Sequence, residues 1–364
     1  MHVGVIGCGQ LARMLALAGI GMGIRFSFVN DNGAPDTACV DGLGKVVAWN
    51  SGDSASELYA ALGKPDCITV EKEQVSSELL AALESLCPLL PNRESVEIIK
   101  DRRREKALVV ESGIPTSRHV VGVSANEAVA GLGFPVVAKS CTEGYDGKNQ
   151  WVIRTEQDAQ RFDESEDPQN YIIEQFIPFD REVSLVAARN AKGEYAAYPL
   201  AENGHDQGIL HQSIVPAPDI SDAMSEKAND YMQRLMSHLG YVGVLAMELF
   251  VRGEDLLVNE LAPRVHNSGH WSQHGADTCQ FENHLRAICG MTLGSTRIKG
   301  YTGMINLLGC EMPALESIPA NASLNWYGKS VRPGRKLGHV NFVDDDRDAL
   351  VRAMNDFRSQ VLGA

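Results

Sequence analysis

The sequence lacks any uninterrupted apolar stretch near the roughly 18 residues that a membrane-spanning helix needs, so we expect no transmembrane segment. It also lacks positive net charge, because 47 acidic residues against 33 lysines and arginines give a formal net charge of −14. A surface of that charge repels nucleic acid and anionic lipid, which excludes both as general partners. Any anionic ligand must therefore be held by a local group of basic side chains or by a metal ion.

No Cys-x-x-Cys pair occurs among the eight cysteines, and most of them lie inside apolar runs. The reduced, buried thiols of cytosolic proteins are distributed in this way. The sequence passes from Met1 and His2 directly into an apolar strand, without a basic leader or a cleavage site. We therefore expect a cytoplasmic protein.

The first residues have the pattern of a dinucleotide-binding fold. The segment 2–7 is typical of a buried strand, and Gly7 and Gly9 lead into a predicted helix over 10–18. Asp31 follows about 20 positions beyond the glycines, at the end of a second predicted strand. An NAD-dependent oxidoreductase is therefore the first functional hypothesis.

Further alternation of strands and helices follows, including a predicted helix near 76–86. With 364 residues the chain is too long for one ordinary hydrophobic core. Because a domain has about 150 residues on average, we predict two or three domains. Residues 1–92 are predicted to form a small doubly wound α/β domain. The polar segment 95–112 predicts a single charged helix leading out of it, which Gly113 and Pro115 end.

Two segments in the middle of the chain are typical of nucleotide binding. A glycine-bearing loop lies between the predicted strand FPVVAKS, which carries Lys139, and a strand over 151–154. A Walker loop would lead into a helix instead, so this arrangement favours a lid over phosphates, and a plain hairpin turn is the alternative. The strand over 171–176 ends in a polar turn that suits an adenine ring, with Glu182 in reach of ribose hydroxyls. An ordinary strand of a sheet core is the alternative there.

Two apolar runs separated by the polar segment RGED predict a β-hairpin. With a three-residue loop over 253–255, Arg252 pairs with Leu256 and Glu248 falls opposite Glu260. Carboxylates held about 5 Å apart on one face of a sheet repel each other, and a cation between them removes the repulsion. Hard oxygen ligands suit Mg²⁺, which commonly takes its other ligands from phosphates and water. The alternative is that one glutamate lies at a solvent-exposed edge.

Three histidines, His266, His270 and His274, recur every four residues and would share one face of a helix, as zinc ligands do. Pro263 and the Asn-Ser-Gly segment 267–269 disfavour a helix there. A loop that contacts phosphate is therefore favoured over a zinc site.

Four basic residues fall within the C-terminal segment YGKSVRPGRKLGH, namely Lys329, Arg332, Arg335 and Lys336. Cations fixed in a Pro-Gly loop suit a phosphate monoester. A solvated basic face is the alternative. The segment lacks the length and the interleaved aromatic residues of a nucleic-acid site.

These segments, in order along nearly the whole chain, resemble the N5-carboxyaminoimidazole ribonucleotide synthetase family of ATP-grasp enzymes. The resemblance rests on Lys139 followed by GYDGKNQ, then EQFIPFDREVS, YPLAENGHDQGIL, MELF, NELAPRVHNSGHW and RPGRKLGHVN. It implies an α/β chain with the ATP-grasp fold and an α+β lid. The implied parts are a Rossmann-like pre-ATP-grasp domain over 1–92, an ATP-grasp domain over 93–295 with its lid over about 113–175, and a small β-rich C-terminal domain over 296–364.

The resemblance also implies a reaction of purine biosynthesis. ATP phosphorylates bicarbonate to carboxyphosphate, which carboxylates the amine of 5-aminoimidazole ribonucleotide directly or through the CO2 it releases. The products are N5-carboxyaminoimidazole ribonucleotide, ADP and phosphate. The implied cofactors are ATP and Mg²⁺, with Mn²⁺ as an alternative ion. The implied partners are the three small substrates and a second copy of the chain in a homodimer, with no nucleic acid and no membrane.

Carried over to matching positions of this sequence, the resemblance implies roles for single side chains. Residues expected to bind ATP are Arg102, Lys139, Gly144, Tyr145, Asp146, Gly147, Lys148, Asn149, Gln150, Glu174, Gln175, Phe176, Ile177, Glu182, His205, Asn259 and Glu260. Residues expected to be catalytic, facing bicarbonate and its phosphorylated form, are Arg264, His266, Asn267 and Lys139. Residues expected to bind the ribonucleotide are Gln10, Tyr145, Asp146, Ser268, Lys329, Arg332 and Arg335. The expected metal ligands are Glu248 and Glu260.

One of these roles conflicts with a regular hairpin. Strict alternation along a strand turns Asn259 away from the face that carries Glu260. If Asn259 contacts the nucleotide, a bulge or a strand end must re-aim its side chain.

Three other functions compete with this interpretation. An oxidoreductase accounts for the first strand-helix-strand unit and leaves the carboxylate pair, the lid and the basic segment unused. Another ATP-grasp ligase, such as the formate-using transformylase, is disfavoured by the sequence ELAPR, where E-x-N-P-R is expected. A binding module without catalytic activity is the third.

Overall fold

The computed structural model describes residues 1–31, 36–142, 149–206 and 208–363. The first part of the chain comprises β1 (His2–Ile6), α1 (Gln10–Ile20), β2 (Arg25–Asp31), β3 (Lys45–Trp49), α2 (Ala55–Ala61), β4 (Cys67–Val70) and α3 (Ser77–Glu84). Its strands form a parallel sheet in the order β3-β2-β1-β4. Successive residues of β1 enter different apolar clusters, Val5 on one face and Ile6 on the other. Burial on both faces explains why the strands are nearly continuous apolar runs.

The predicted single helix over 95–112 is wrong. Two helices, α4 (Arg93–Ile99) and α5 (Arg102–Glu111), occupy this segment. Asp101 separates them, because its Oδ1 accepts a hydrogen bond from the backbone N–H of Arg103 at 3.0 Å. Aspartate is a favoured N-cap residue, and the new helix begins immediately after it.

The next elements are β5 (His119–Val121), α6 (Ala125–Leu132), β6 (Val136–Ser140), β7 (Gln150–Ile153), α7 (Glu156–Ser165) and β8 (Tyr171–Gln175). The strands form an antiparallel sheet in the order β5-β8-β6-β7. Lys139 of β6 pairs with Gln150 of β7, so the loop that the sequence predicts as a lid does connect two antiparallel strands. Residues 143–148 of this loop lie outside the described residues.

The remaining elements are β9 (Arg181–Arg189), β10 (Tyr195–Ala197), β11 (Ala201–Asp206), β12 (Ile209–Val215), α8 (Asp222–His238), β13 (Gly243–Arg252), β14 (Asp255–Ala262), α9 (Ser272–Gly275), α10 (Gln280–Ile288), β15 (Tyr301–Leu308), β16 (Ala322–Trp326), β17 (Lys336–Asp344) and α11 (Arg347–Phe357). The strands form a central sheet in the order β14-β13-β9-β11-β12-β15-β17-β16, with β10 paired to β9. The last three strands thus extend the central sheet, and α11 packs on them around a separate apolar cluster. The division at residue 296 stays a prediction.

Helix α10 joins the first sheet to the central sheet. Its residues Phe281 and Leu285 belong to one apolar cluster with Phe28 of the first sheet and Val186 and Val244 of the central sheet. The two sheets are therefore joined through a continuous core. Among the described residues, none of the helices has the combination of length and apolar character that crossing a membrane requires.

The predicted hairpin forms, but its predicted three-residue loop is wrong. Arg252 pairs with Asp255 across a two-residue turn. Counting outward from that pair sets Glu248 opposite Asn259. A bulge leaves Asn259 unpaired, so Glu260 lies opposite Glu248 as predicted. The shorter loop and the bulge shift the register in opposite directions and cancel.

Candidate active site

Charged and polar side chains from α5, the small antiparallel sheet and the hairpin meet at the bulge of β14. Arg102 donates a hydrogen bond from Nη1 to Glu260 Oε2 at 2.7 Å. Lys139 Nζ donates to Glu174 Oε2 at 3.2 Å and to Asn259 Oδ1 at 3.0 Å. These residues are distant in sequence, and the structure brings them together as the resemblance implies.

Lys106 lies at the same place and was not predicted as a site residue. Its side chain is 1% exposed, and its Nζ donates to the carbonyl oxygens of Val258 at 3.3 Å and Asn259 at 2.9 Å. It also donates to Thr116 Oγ1 at 2.7 Å. Lys106 therefore holds the bulge that aims the Asn259 side chain at Lys139. The segment RRREK resembles a solvated charged face, so the sequence contains no signal of this burial.

The carboxylate of Glu174 lies between two lysines. Its Oε2 is 3.6 Å from Lys106 Nζ and accepts a hydrogen bond from Ser117 Oγ at 2.7 Å. Burial alone would raise the pKa of Glu174, but Lys106 and Lys139 hold that pKa well below its ordinary range. The group is therefore ionised at neutral pH. Its Oε1 is buried and has no hydrogen-bond partner among the residues that the structure describes.

Glu248 and Glu260 have very different proton affinities. Burial and the charge of Glu260 raise the pKa of Glu248 to about 8. Burial acts in the same direction on Glu260, but Arg102 and Lys139 outweigh it and lower its pKa to about 2. Glu248 therefore holds its proton more tightly than Glu260 does, and a divalent cation would favour ionisation of both groups.

These two carboxylates suit Mg²⁺ because both offer hard oxygen donors. In the described part of the chain, no group of three or more His, Cys, Asp and Glu side chains is arranged to hold a metal ion. Magnesium commonly keeps several waters and shares phosphate oxygens, so a protein contribution of two carboxylates is sufficient. The donor set thus fits a nucleotide-bound ion.

His205 and Glu182 form a second polar pair. His205 Nδ1 lies 2.9 Å from Glu182 Oε2. Burial opposes a charge on His205, but the adjacent Glu182 carboxylate outweighs burial and raises the pKa of His205 above its ordinary value. Both side chains line an open cleft of ≈ 360 Å³. Phe179, at the rim of that cleft, stacks its ring on Phe250 with the ring centres 4.5 Å apart.

The segment after β14 carries the predicted bicarbonate site. Arg264 Nη2 lies 2.8 Å from Glu73 Oε1, which links this segment to the first sheet. His266 Nδ1 is hydrogen-bonded to Ser268 Oγ at 2.9 Å, and His266 Nε2 lies 3.6 Å from Glu248 Oε1. Burial, together with the nearby Arg264, lowers the pKa of His266 to about 3. Its imidazole is therefore neutral and can hydrogen-bond without adding charge.

The other two histidines of the four-residue repeat have separate partners. His270 Nδ1 is hydrogen-bonded to Gln280 Nε2 at 3.0 Å. His274 Nε2 lies 3.4 Å from Asn325 Nδ2. His266 itself precedes a short 3-10 turn rather than an α-helix. The repeat therefore does not place the three rings on one helical face.

The predicted dinucleotide loop is filled by a side chain of the protein. The backbone N–H of Gly9 donates to Glu71 Oε1 at 2.6 Å, and that of Ala12 donates to Glu71 Oε2 at 3.0 Å. In dinucleotide-binding folds these N–H groups bind pyrophosphate. Asp31, the acidic residue of the fingerprint, pairs with Lys72 at 2.8 Å. Glu71 thus takes the position of the anion, which was not predicted.

The basic C-terminal loop contacts α1 and the segment after β2. Lys329 Nζ donates to Gln10 Oε1. Arg335 Nη2 pairs with Asp36 Oδ2 at 2.6 Å. Gln10 and the basic loop were predicted to share the ribonucleotide site, and the structure does bring them together. Arg332 is exposed in the same loop.

The remaining predicted site residues are placed as follows. Asn267 exchanges side-chain hydrogen bonds with Asn306 at 2.7 and 3.0 Å. Asn149 has a positive φ of 56° just before Gln150, the first residue of β7. The segment 175–177, predicted to hold adenine, directly follows Glu174 at the end of β8. The predicted residues that lie outside the described residues are Gly144, Tyr145, Asp146, Gly147 and Lys148.

Family models match most of the chain. Residues 1–100 match the ribonucleotide synthetase preATP-grasp domain, 107–281 the ATP-grasp domain, and 302–353 the phosphoribosylaminoimidazole carboxylase C-terminal domain. The N5-carboxyaminoimidazole ribonucleotide synthase of Pseudomonas aeruginosa is 43% identical over 354 residues, which cover 96% of each chain.

Solved structures agree with these matches. The crystal structure of N5-carboxyaminoimidazole ribonucleotide synthetase from Thermus thermophilus superposes with a TM-score of 0.90 at 42% identity, covering 98% of this chain and 97% of that one. The Aspergillus clavatus N5-carboxyaminoimidazole synthase was solved with ADP and 5-aminoimidazole ribonucleotide. Its structure superposes with a TM-score of 0.87 at 25% identity, covering 97% of this chain and 96% of that one.

Because Glu71 already occupies the N–H groups of Gly9 and Ala12, we expect no binding of NAD or NADP. Isothermal titration calorimetry with either dinucleotide at about millimolar concentration should give no saturable heat. ADP serves as the positive control on the same protein sample. Micromolar affinity for NAD would contradict the closed loop and restore the oxidoreductase hypothesis.

We expect Lys106→Met to lower the free energy of unfolding by about 2–4 kcal/mol, because it removes the ammonium group that donates to the Asn259 carbonyl oxygen and that balances part of the buried Glu174 charge. Urea denaturation followed by circular dichroism measures the change. Lys100→Met is the matched control, since Lys100 Nζ bonds to Ser77 Oγ at a partly exposed position. Equal losses in the two variants would show that Lys106 does not hold the bulge.

Proposed function

The chain belongs to the N5-carboxyaminoimidazole ribonucleotide synthase family of ATP-grasp ligases, and from this premise we propose how its residues carry out the reaction. The activity is the ATP-dependent carboxylation of 5-aminoimidazole ribonucleotide in purine biosynthesis. One observation carries the assignment of residues. Glu248 and Glu260 lie in register across the hairpin, and Arg102 and Lys139 reach the same bulge.

In the proposed complex, the adenine of ATP lies against the end of β8. Glu174 Oε1, buried and without a partner among the described residues, would accept a hydrogen bond from the adenine amino group. The pair of Glu182 and His205 lines the neighbouring cleft and would bind the ribose hydroxyls. Arg102 and Lys139 would contact the phosphates, with Asn259 fixing the Lys139 ammonium group. The lid residues 144–150 complete the proposed nucleotide site.

Glu248 and Glu260 would hold Mg²⁺, with Mn²⁺ as an alternative ion. Bound there, the ion would neutralise charge on the phosphates as phosphoryl transfer proceeds. Glu260 is oriented for this role by its hydrogen bond with Arg102. The nearby His266 adds no positive charge at neutral pH, so it does not compete with the cation.

Arg264, His266 and Asn267 would bind bicarbonate. An oxygen of bicarbonate attacks the γ-phosphorus of ATP, and ADP leaves, which gives carboxyphosphate. Arg264 is held in place by Glu73, and Asn267 by Asn306, so both donors are oriented before the substrate binds. Bicarbonate is a poor nucleophile, and positioning of this kind supplies much of the acceleration.

In the second step the amine of 5-aminoimidazole ribonucleotide attacks the carboxyl carbon of carboxyphosphate or of the CO2 that it releases. Phosphate leaves, and the amine loses a proton. We propose that Gln10 and Ser268 orient the ribonucleotide and that Lys329, Arg332 and Arg335 bind its 5′-phosphate. Tyr145 and Asp146, outside the described residues, are proposed to cover it from the lid. Exclusion of water protects carboxyphosphate from hydrolysis.

We further propose that the enzyme acts in the cytoplasm as a homodimer with three domains. The free thiols of the described cysteines are typical of a reducing compartment. The matched family models leave residues 101–106 and 282–301 unmatched. The second of these segments contains the proposed boundary at 295, and the first lies within about ten residues of the proposed boundary at 92. The homodimer rests on the sequence resemblance.

Glu260→Gln is expected to abolish Mg²⁺-dependent ADP formation in the presence of bicarbonate and 5-aminoimidazole ribonucleotide while the protein stays folded. The substitution removes one of two proposed metal ligands and weakens the contact with Arg102. A coupled assay for ADP measures the rate, and circular dichroism verifies the fold. Glu84→Gln is the control, because Glu84 pairs with Arg93 at an exposed position and is not among the proposed site residues. Normal turnover by folded Glu260→Gln protein would rule out the metal site.

Arg335→Ala is expected to raise KM for 5-aminoimidazole ribonucleotide by about one to two decades and to leave KM for ATP nearly unchanged. A charge-assisted contact to phosphate contributes about 1.5–3 kcal/mol, which corresponds to that range. The control is Arg352→Ala, since Arg352 lies on the exposed side of α11.

The riboside that lacks the 5′-phosphate tests which group Arg335 contacts. It should be a poor substrate of the native enzyme and should lose little further activity with Arg335→Ala, because the missing partner is the same. Values of kcat/KM for both substrates and both proteins form a double-mutant cycle. Additive losses would show that Arg335 does not bind the phosphate.

A further inference from the structure

The side chain of Gln280 contacts the segment that carries His266 from the interior of the protein. Gln280 is the first residue of α10 and is 0% exposed. Its Oε1 accepts a hydrogen bond from the backbone N–H of His266 at 2.9 Å, and its Nε2 donates to the backbone carbonyl oxygen of His266 at 2.7 Å. One side-chain amide thus binds both backbone polar groups of His266, which fixes that residue relative to α10.

Further contacts hold Gln280 against the loop 266–270. Its Nε2 is also hydrogen-bonded to His270 Nδ1 at 3.0 Å. Its backbone N–H donates to Ser272 Oγ at 3.0 Å, and Ser272 Oγ donates to the carbonyl oxygen of Gly269 at 2.6 Å. A methyl group on Gly269 would lie 2.6 Å from Gln280 Oε1, so the absence of a side chain at Gly269 permits the close approach of the amide. The position of the loop is therefore set by side-chain contacts from α9 and α10.

The contacts of the His266 ring determine which of its nitrogens carries the proton. The backbone N–H of Ser268 donates to His266 Nδ1 at 3.3 Å, and Ser268 Oγ lies 2.9 Å from the same nitrogen. When Nδ1 accepts a hydrogen bond, the proton of a neutral imidazole lies on Nε2. His266 Nε2 is 3.6 Å from Glu248 Oε1. The ring therefore presents an N–H donor toward the carboxylate pair of the hairpin.

We propose that Gln280 is a positioning residue for the reaction of bicarbonate, because its amide holds the His266 backbone so that the Nε2–H group of the ring points toward Glu248. This proposal rests on the bicarbonate-binding role proposed for His266. Because Gln280 is fully buried, it acts through His266 rather than by contact with substrate. Two hydrogen bonds from one planar amide restrain both the position and the orientation of the backbone that carries the ring.

A purely structural role is the alternative for Gln280, and the same helix offers a comparison. Asn283 of α10 is also 0% exposed. Its Oδ1 accepts a hydrogen bond from the backbone N–H of Gly294 at 2.8 Å, and its Nδ2 donates to the Gly294 carbonyl oxygen at 3.3 Å. Asn283 therefore binds both backbone polar groups of one residue, as Gln280 does, but outside the residues assigned to the reaction.

The test compares Gln280→Met with Asn283→Leu, two substitutions that keep the shape of a buried amide and remove its polar atoms. ADP formation is measured with bicarbonate as the varied substrate, and circular dichroism verifies the fold. Gln280→Met should lower kcat/KM for bicarbonate by about 10- to 100-fold, because small displacements of a positioned group have effects of that size. It should leave KM for ATP unchanged, and Asn283→Leu should leave both quantities unchanged. Equal losses in the two variants, or an equal rise in KM for ATP, would show a structural role and overturn the proposal.

His266→Ala separates failure of this proposal from failure of the proposed function. Native kcat/KM for bicarbonate in His266→Ala would exclude the role proposed for His266, and the proposal for Gln280 with it. A loss in His266→Ala with native values in Gln280→Met would overturn the proposal for Gln280 alone. In the His266→Ala background, Gln280→Met should add little further loss. Equal losses in both backgrounds would show that Gln280 does not act through His266.

The native protein tests the geometry even if Gln280→Met does not fold. Nuclear magnetic resonance of protein labelled with ¹⁵N-histidine shows which ring nitrogen carries the proton, and comparison with His266→Ala assigns the signals of His266. At neutral pH the proton should lie on Nε2. A proton on Nδ1 would overturn the proposal, because the ring would then present no N–H group toward Glu248.

Discussion

The bulge at Asn259, held by the buried ammonium group of Lys106, is the constraint on which the geometry of the site depends. Lys106 donates to the carbonyl oxygens of Val258 and Asn259 and lies beside Glu174. A buried cation is stable only when it is paired and hydrogen-bonded, so these contacts also fix the position of α5. Because one residue is left out of the pairing, Glu260 reaches the position opposite Glu248. Without the bulge the Asn259 amide would stand there, and the two carboxylates would not face each other.

An acidic protein must bind anions through a few cations in fixed positions. Each of the main cations at the site already has a partner on the protein: Arg102 contacts Glu260, Lys139 contacts Glu174, and Arg264 contacts Glu73. These contacts order the side chains of the proposed nucleotide site, which would reduce the reorganisation needed during phosphoryl transfer. They also compensate the positive charge when the site holds no phosphate. The net charge of −14 is therefore compatible with a polyphosphate substrate.

The glycine loop of the first sheet has a dinucleotide-like pattern but is closed by a side chain of the protein. Its strand, glycine loop and helix match the dinucleotide fingerprint, yet Glu71 binds the backbone N–H groups of Gly9 and Ala12. A methyl group on Gly9 would lie 2.7 Å from that carboxylate, so glycine is needed there for the close approach of Glu71. The same loop then presents Gln10 to Lys329 of the basic loop. The glycine pattern thus reflects the approach of a side chain rather than of pyrophosphate.

The sequence by itself determined the features that depend on local pattern. Alternating strands and helices indicated the first sheet, and the two apolar runs indicated the hairpin. The facing of Glu248 and Glu260 was predicted with a loop one residue too long, and the bulge offset that error. The order of motifs indicated the family. Only the tertiary structure decided the rest. The burial of Lys106 and the closure of the glycine loop by Glu71 both depend on contacts between segments far apart in the chain. A charged residue in a polar helix has the same local pattern whether it faces water or a bulge on a distant strand, and only packing distinguishes the two.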